Sequence, residues 1–428
     1  MTIIPAGLTK REYVTLRLHI IYNLCEGVME GVFLLASFVF IKSLLGGNYQ
    51  TSLLFQSMIG IYTFAVIATE LMKRARNMKR MLMVAGTLTR LPLFAFAFFG
   101  ASAAGNNAYL ILFLAIFGIY YSSRTVIYPA INQILKQSYS ESRFGRLYSI
   151  ATAARTATAV LSTFAFGIVS DAHPMAYRAV FPLCGALGLV SVYMLLRIPF
   201  RQADAVHYIG SVGSSIAQSF RSIVQGVRGN TAYLQFEVAY MLYGFGYMLT
   251  YPVITIFFKT GLSLNYTSVS FYQYWYYILS VILLPVFGKV ISRMEIRSFS
   301  IIPFTAMMLY ICGFLLVSVW PAQFSIGTLQ IHIALLAGYT MYGIYAGSHT
   351  LLYNIGSAYF CGREQAASYQ AMHLSLSGAR ALVFPLIGVW VYERYGFAPC
   401  FAAAAFGLFL SVVVLQISRF RTPLNVIH

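Results

Sequence analysis

One stretch of this chain reads Gly118-Ile119-Tyr120-Tyr121-Ser122-Ser123-Arg124-Thr125-Val126-Ile127-Tyr128, an apolar run with one fixed positive charge. A second stretch matches it at an offset of 225 residues (343 − 118): Gly343-Ile344-Tyr345-Ala346-Gly347-Ser348-His349-Thr350-Leu351-Leu352-Tyr353. Gly, Ile, Tyr, Ser, Thr and Tyr recur, and His349 stands where the first copy has Arg124. A repeat of this size indicates a chain built from two copies of one helical unit.

The composition excludes water as the main solvent of this chain. Hydrophobic residues make up 59% of its 428 residues, charged residues only 9%, and the mean hydropathy is +0.73. A soluble chain has about a quarter of its residues charged. The length accommodates about twelve helices of ~20 residues that each cross a bilayer.

Apolar segments predict where these helices lie. They fall at 15–45, 51–72, 81–103, 107–134, 146–170, 177–197, 231–258, 266–292, 299–320, 327–358, 366–392 and 396–418. The chain has 29 basic and 11 acidic residues, and the basic excess lies in alternate short connections. This is the pattern of cytoplasmic loops, so we exclude nucleic acid as a partner. The alternation predicts both termini in the cytoplasm and an integral protein of the plasma membrane, the inner membrane in a bacterium.

We expect no cofactor, no metal and no enzymatic activity. The five cysteines have no metal-like spacing, and the sequence has no Gly-rich phosphate loop and no nucleophile motif. The first apolar segment is too long for a cleavable signal peptide.

The repeat extends through both halves of the chain. Ala154-Arg155 recurs as Ala379-Arg380 at the offset of 225 (380 − 155), whereas the front of each half recurs at 217. The pairs at 217 are Gly27/Gly244, Lys42/Lys259, Asn48-Tyr49/Asn265-Tyr266, Gln56/Gln273, Arg76/Arg293 and Arg80/Arg297. Matches in corresponding segments indicate two parallel six-helix halves. We predict an N-terminal bundle at 1–200, a cytoplasmic linker helix at 201–230 and a C-terminal bundle at 231–428.

This organisation resembles the major facilitator superfamily, and so does the basic turn after the second span of each half. The turn reads Gly288-Lys289-Val290-Ile291-Ser292-Arg293-Met294-Glu295-Ile296-Arg297 in the second half and Leu71-Met72-Lys73-Arg74-Ala75-Arg76-Asn77-Met78-Lys79-Arg80 in the first. The family pattern is Gly, three residues, Asp-Arg, one residue, Gly-Arg-Arg; the basic positions are kept, and Ala75 and Ser292 replace the Asp. The resemblance implies an all-α membrane protein, with twelve transmembrane helices in two pseudo-symmetric six-helix bundles. It implies gating roles for Arg76, Arg80, Arg293 and Arg297.

Ionisable residues at membrane depth are the candidates for chemistry, because each charge near the bilayer centre costs about 2.5–3.5 kcal/mol on insertion scales. They are Glu26, Glu30, Arg90, Arg124, Arg155, Glu237, His349, His373 and Arg380. Glu26 and Glu30 are four residues apart and share one face of the first helix. Burial and mutual repulsion favour protonated carboxylates, so we predict that this pair carries protons. The alternative is that each is tied to a buried arginine as a static strut.

The arginines are candidates for binding an anion, because a guanidinium offers a permanently charged, planar fork that suits carboxylate or phosphate. In the resembled fold the fourth and tenth helices line a central cavity, and the fifth and eleventh lie between the halves. We predict that Arg124 and Arg380 bind substrate, and we leave Arg155 open between binding and structure. We predict that Arg90 has a structural role, paired with another side chain. We predict that Glu237, near the cytoplasmic side, forms a gate or a helix-end salt bridge.

Tyrosines follow helical spacing on the fourth, seventh and tenth spans. A hydroxyl that faces lipid would lack a hydrogen-bond partner, which favours a polar surface that contacts substrate. The predicted members of this surface are Tyr120, Tyr128, Tyr243, Tyr247, Tyr345 and Tyr353, with His349 and Gln273.

We therefore expect a monomeric secondary active transporter that moves a small organic anion by alternating access, in symport with protons through Glu26 and Glu30. One alternative is an exporter of amphipathic or aromatic compounds, for which the tyrosines and the sixteen methionines would provide an adaptable surface. Another is a member without transport activity that senses a ligand or handles lipid.

Overall fold

The computed structural model describes residues 8–64, 77–199, 213, 229–361 and 366–421. Helices dominate this part of the chain. In the first half of the sequence they are α1 (Lys10–Phe33), α2 (Ala36–Lys42), α3 (Asn48–Gly60), α4 (Met78–Arg90), α5 (Asn107–Ser122), α6 (Arg124–Ser138), α7 (Glu141–Ala172) and α8 (Tyr177–Arg197). Short 3-10 turns extend α3 over Ile61–Phe64 and α4 over Leu91–Phe98.

The second half continues with α9 (Thr231–Ile256), α10 (Tyr266–Ile291), α11 (Ile296–Val319), α12 (Ile333–Ile355), α13 (Ala366–Tyr395) and α14 (Phe397–Arg421). A π-helical turn, Phe257–Gly261, follows α9, and a 3-10 turn, Gly356–Phe360, follows α12. Two short strands, β1 (Gln323–Ile326) and β2 (Leu329–His332), lie between α11 and α12.

Each of the twelve predicted spans contains helix in the described residues, which confirms the predicted class of helical membrane protein. Ten helical stretches of the described chain are long and apolar enough to cross a membrane; α3 and α12 are not among them. Asparagines at the helix starts explain several of the boundaries, since each side chain accepts a hydrogen bond from a backbone N–H of the first turn. These caps are Asn77, Asn106, Asn230 and Asn265.

The β-hairpin corrects the predicted start of the tenth span, which we placed at residue 327. Strands β1 and β2 pair antiparallel, with Phe324 opposite Ile331 and Ile326 opposite Leu329. Gly327 in the turn has φ of +60°, which glycine adopts without strain. The alternation of Phe324, Ile326, Leu329 and Ile331 with polar residues has the period of a strand. Counting hydrophobic residues alone conceals that period.

The hairpin is fixed to the start of α10 by polar contacts. The Asn265 side chain donates to the Thr328 carbonyl oxygen at 2.6 Å. The Gln330 backbone N–H donates to Ser268 Oγ, and that of His332 donates to Tyr272 Oη, both at 2.8 Å. The hairpin, which connects α11 with α12, therefore lies against the start of α10.

The chain divides into two compact units. Unit 1 comprises Met1–Gly46 and Phe64–Val212, and unit 2 comprises Gly47–Thr63 and Gly213–His428. This division differs from the predicted bundles, because the segment 47–63 belongs to unit 2 although unit 1 precedes and follows it in sequence. Nearly all of the predicted linker helix, 201–230, lies outside the described residues.

The segment 47–63 packs against α13 within unit 2. Gln56 Nε2 donates to the Leu382 carbonyl oxygen at 2.7 Å, and Asn48 Nδ2 donates to Glu393 Oε1 at 3.0 Å. Gly60 lies against the Leu382 side chain so closely that a Cβ atom at this glycine would overlap it. These contacts run along α13 from Leu382 to Glu393, which explains the assignment of the segment.

Glycines allow the same close helix crossing in both units. A Cβ atom at Gly27 of α1 would overlap the Arg155 carbonyl oxygen of α7. A Cβ atom at Gly244 of α9 would overlap the Arg380 side chain of α13. Gly27/Gly244 and Arg155/Arg380 are pairs of the sequence repeat, so the repeat is present in the packing as well as in the sequence.

Candidate functional site

Glu26 lies in a buried polar cluster formed by α1, α4 and α8 in unit 1. Arg90 Nη2 donates to Glu26 Oε1 at 3.3 Å, and Ser191 Oγ donates to the same oxygen at 2.7 Å. Glu26 is 5% exposed and Arg90 only 2%. The Arg90 guanidinium also lies 5.7 Å from the centre of the Tyr120 ring. This is the arrangement of a static strut.

Glu30 lies one turn further along α1 and contacts α7 instead. Arg155 Nε donates to Glu30 Oε2 at 2.6 Å. Both side chains are partly accessible, with 26% of Glu30 and 21% of Arg155 exposed. The two carboxylates, predicted to act as a pair, thus each have an arginine of their own, and of the two pairs only that of Glu30 is partly exposed.

Arg124 begins α6, and its guanidinium lies 4.8 Å from the centre of the Tyr121 ring. The side chain is half-buried. Tyr120 is 4% exposed and packs edge-on against Phe33 at 4.9 Å between ring centres. The predicted polar surface at Tyr120 is therefore occupied by protein, and the Tyr128 side chain lies outside the described residues.

Arg380 of α13 is a buried cation in unit 2, with 4% of its surface exposed. Its Nη1 donates to the Tyr240 carbonyl oxygen at 2.5 Å, and its Nη2 donates to Ser377 Oγ at 3.1 Å. The guanidinium lies 5.2 and 5.7 Å from the ring centres of Tyr240 and Tyr243. Among the described residues Arg380 forms no salt bridge, and its buried Nε has no acceptor.

Two hydrogen bonds connect α9 with α12 beside this cation. Tyr240 Oη and His349 Nε2 share one of 2.7 Å, and the hydroxyls of Tyr243 and Tyr345 share another. The Tyr345 ring stacks on His349 at 4.8 Å between ring centres. Three residues predicted to lie on one polar surface, Tyr243, Tyr345 and His349, are thus brought together next to Arg380.

Three further members of the predicted surface lie at its edge. The Tyr247 ring is parallel to that of Tyr243 at 6.0 Å, and Tyr353 stacks on His349 at 5.7 Å. Gln273 is half-buried on α10. Unit 2 therefore contains a continuous row of aromatic rings from Tyr247 to Tyr353.

Glu237 lies one turn before Tyr240 on α9 and pairs with His373 of α13. His373 Nδ1 and Glu237 Oε1 are 2.9 Å apart, and the residues are 1% and 5% exposed. The buried His373 Nε2 has no partner in the described part of the chain. The structure therefore places Glu237, predicted as a gate or a helix-end salt bridge, in a buried contact with His373.

The four arginines implied in gating differ in their surroundings. Arg80 and Arg293 are exposed. Arg297 is 1% exposed; its Nε donates to Glu295 Oε1 at 2.5 Å, and its Nη1 donates to the Ser418 carbonyl oxygen at 2.9 Å. Arg297 therefore has the contacts of a structural residue, and Arg76 lies outside the described residues.

Three residues that form hydrogen bonds with Glu26 or Arg380 were not predicted as candidates. Ser377 lies three residues before Arg380, where helix geometry brings side chains together, so the spacing could have identified it. Tyr240 belongs to the tyrosine row of α9, and the repeat gives no reason to select it. Ser191 is 165 residues from Glu26, and no local signal connects them.

No protein-family profile matches the chain, and no curated protein does. Solved structures do resemble it. A mutant form of the nucleoside transporter NupG has a TM-score of 0.71 and 15% identity, over 95% of this chain and 99% of that one. A structure on substrate recognition in proton-dependent oligopeptide transporters has a TM-score of 0.63 and 15% identity, over 96% and 99%. The human organic anion transporter MFSD10 has a TM-score of 0.59 and 13% identity, over 95% and 100%.

Proposed function

We propose that this chain, which has the fold of the major facilitator superfamily, is a proton-coupled transporter that moves a small organic anion across the membrane by alternating access. The similar structures are of transporters of small molecules, one of them an organic anion transporter and one from proton-dependent transporters. At 13–15% identity they support the fold. The substrate class is inferred from this chain's own residues.

The observation that carries the anion proposal is the environment of Arg380. A buried arginine keeps its charge, and burying a charge without a compensating one is costly. Tyr240 and Ser377 supply neutral oxygens, and the tyrosine rings supply only weak cation–π attraction. A carboxylate or phosphate of the substrate would supply the missing negative charge and an acceptor for the buried Nε.

Glu30 is the better supported of the two predicted proton carriers. Glu30 and its partner Arg155 are both partly exposed, so a proton can reach the Glu30 carboxylate. Protonation removes the negative charge and breaks the ion pair. Glu26 is buried with two partners and has no comparable access. A proton that moves through about 100 mV supplies ~2.3 kcal/mol, enough for a roughly fifty-fold gradient of substrate.

The test is uptake into proteoliposomes that contain the full chain, driven by an imposed pH gradient. We expect accumulation of at least one of three membrane-impermeant anions, namely gluconate, succinate and glycerol 3-phosphate, and none of glucose, the neutral counterpart of gluconate. Arg380→Gln should abolish this uptake, and Arg380→Lys should retain part of it, because lysine keeps the charge but not the planar fork.

Arg419→Gln is the matched control, since it removes one exposed positive charge from the end of α14. Its uptake should equal that of the unmodified chain. Anion uptake by Arg380→Gln at the unmodified rate, in protein that elutes as a single folded species, would contradict the proposal.

The row of tyrosines favours a second candidate, a transporter of aromatic or amphipathic compounds. The rings of Tyr247, His349 and Tyr353 in this row are half-buried, and a flat solute can stack on such rings. Rhodamine 6G, a cationic aromatic dye, separates the candidates. An exporter of aromatic compounds would transport it and show no competition by succinate, whereas an anion transporter would ignore it.

A further inference from the structure

A groove in unit 1 lies where the first turns of α1 meet the last turn of α8. It encloses about 370 Å³. Three basic residues line it, namely Lys10, Arg17 and Arg197, together with two tyrosines, Tyr13 and Tyr193. None of these residues belongs to the proposed transport site.

The spacing of the lining residues explains how one groove collects them. Lys10, Tyr13 and Arg17 are three and four residues apart, so they share one face of α1. Tyr193 and Arg197 are one turn apart on α8, and the Arg197 guanidinium lies 4.8 Å from the centre of the Tyr193 ring. That contact holds the Arg197 side chain along the groove.

The part of the groove wall that the structure describes carries positive charge only. Glu12, the acidic residue nearest to Lys10 in sequence, is directed elsewhere. It accepts hydrogen bonds from Thr9, Ser140 and Arg143 and is 4% exposed. Among the described residues no aspartate or glutamate lines the groove, so its described wall presents three cations and no carboxylate.

The composition of the wall changes along α1. Beyond Arg17 the same face continues with Leu18 and Ile21, and Met194 lines the groove from α8. The groove thus has a cationic, tyrosine-rich end and an apolar end. This is the polarity of a phospholipid at a membrane surface, where basic residues attract anionic headgroups and tyrosine lies at headgroup level.

We propose that this groove binds one anionic phospholipid, with its phosphate between Arg17, Arg197 and Lys10 and the start of an acyl chain along Leu18 and Ile21. Charge complementarity selects the headgroup. The apolar end distinguishes a lipid from free phosphate. The site lies entirely in unit 1 and does not depend on the transported substrate.

The test is native mass spectrometry of the full chain in detergent, titrated with dioctanoyl phosphatidylglycerol, dioctanoyl phosphatidylcholine or inorganic phosphate. We expect one phosphatidylglycerol to bind at least tenfold more tightly than phosphatidylcholine, and inorganic phosphate to compete poorly. Each basic residue beside an anionic headgroup contributes about fivefold in affinity. The double variant Arg17→Gln/Arg197→Gln should therefore bind phosphatidylglycerol about 25-fold more weakly.

The matched control is Arg419→Gln/Arg421→Gln, which removes the same charge from exposed positions of α14. It should bind like the unmodified chain. Equal affinity for the two lipids, or an equal loss in the control, would overturn the proposal. Binding of inorganic phosphate as tight as that of phosphatidylglycerol would assign the groove to free anions instead. The comparison of ligands on the unmodified chain does not require any variant to fold.

Discussion

Arg155 and Arg380 occupy the same position of the repeat but have different partners. Arg155 forms a salt bridge with Glu30, whereas Arg380 bonds neutral oxygens and lies against tyrosine rings. At the offset of 217, the position of Glu30 corresponds to Tyr247. The second copy thus has the arginine without the carboxylate. The two copies of this repeat position therefore provide a candidate proton site, at Glu30 with Arg155, and a candidate anion site, at Arg380.

Replacing Glu30 by glutamine should separate coupling from binding. Because Gln cannot take up a proton, Glu30→Gln should lose accumulation driven by a pH gradient but keep exchange of labelled anion at equal pH on both sides. Both are measured in proteoliposomes. Glu26→Gln is the comparison, and it should mainly lower thermal stability, by about 3 kcal/mol, since it leaves the buried Arg90 without a counter-charge.

Accumulation by Glu30→Gln at the unmodified level would remove this residue from the coupling mechanism. A loss of coupling in Glu26→Gln, with Glu30→Gln intact, would assign the proton to the buried cluster instead.

The sequence could predict which charged residues lie at membrane depth, because each of them stands within an apolar run, where a charge costs free energy of membrane insertion. It could not predict their partners. Glu26 and Arg90 are 64 residues apart, and Glu30 and Arg155 are 125 apart. Those pairings depend on how α1 packs against α4 and α7, and helical spacing alone contains no information on that packing.

At the scale of helices, the close crossings at Gly27 and Gly244 are what position the two arginines. Gly244 lies directly against the Arg380 side chain. The side chain of any other residue at this position would displace the guanidinium or separate α9 from α13. The repeat of these glycines in the sequence was the signal, and its cause is the backbone contact that they permit.

Gly244→Ala should lower both stability and anion uptake. Overpacking a well-packed contact costs about 1–3 kcal/mol, and here the atom that must move belongs to Arg380. Gly118→Ala is the control, because a Cβ atom there meets nothing within 4 Å. Alanine in a helix is favoured over glycine by about 0.5–1 kcal/mol, so Gly118→Ala should be neutral or stabilising. Thermal unfolding and uptake of both variants check this, and equal behaviour would refute it.

His332, at the end of the hairpin, should make the stability of the protein sensitive to acid. Burial lowers the pKa of this histidine, and neither ring nitrogen has a hydrogen-bond partner among the described residues. The unfolded chain, with an ordinary pKa of about 6.5, takes up the proton first. The contribution of the neutral, buried His332 to stability is therefore full above pH ~6.5. It is lost as the pH decreases, by at most about 1.4 kcal/mol per pH unit.

His332→Gln should thus lose less thermal stability between pH 7.5 and pH 5.5 than the unmodified chain does. His173→Gln is the control, since His173 is exposed, and it should follow the unmodified chain. A pH dependence that is the same in all three proteins would show that His332 is not the titrating group.

For the whole molecule, composition and the repeat were sufficient to predict the fold. The hydropathy predicted a helical membrane protein, and the two constant offsets of the repeat predicted that it consists of two similar halves. The membership of the segment 47–63 was not predicted, because a contact such as that of Gln56 with Leu382 spans 326 residues. The start of α12 was missed because apolar strands and apolar helices have similar hydropathy.

The alternation of basic connections predicts the orientation of the chain in the membrane. A green fluorescent protein fused after His428 should fluoresce, because that end is predicted to be cytoplasmic. Alkaline phosphatase inserted after Gly327, in the turn of the hairpin, should be active, because that connection carries no basic residue. The reverse pattern of activities would reject the predicted orientation.

The segment 47–63 is synthesised early and meets its partners late. Between Gly60 and the start of α13 at Ala366 the ribosome adds 306 residues (366 − 60), which takes about 15–60 s at ~5–20 residues per second. Throughout that interval the Leu382 carbonyl oxygen, which accepts the hydrogen bond of Gln56, has not yet been synthesised. The segment therefore enters the membrane without its partner helix while most of the protein is still being translated. A chain arrested before residue 366 would lack α13, and we expect proteolytic quality control at the membrane to recognise segment 47–63 in such a chain.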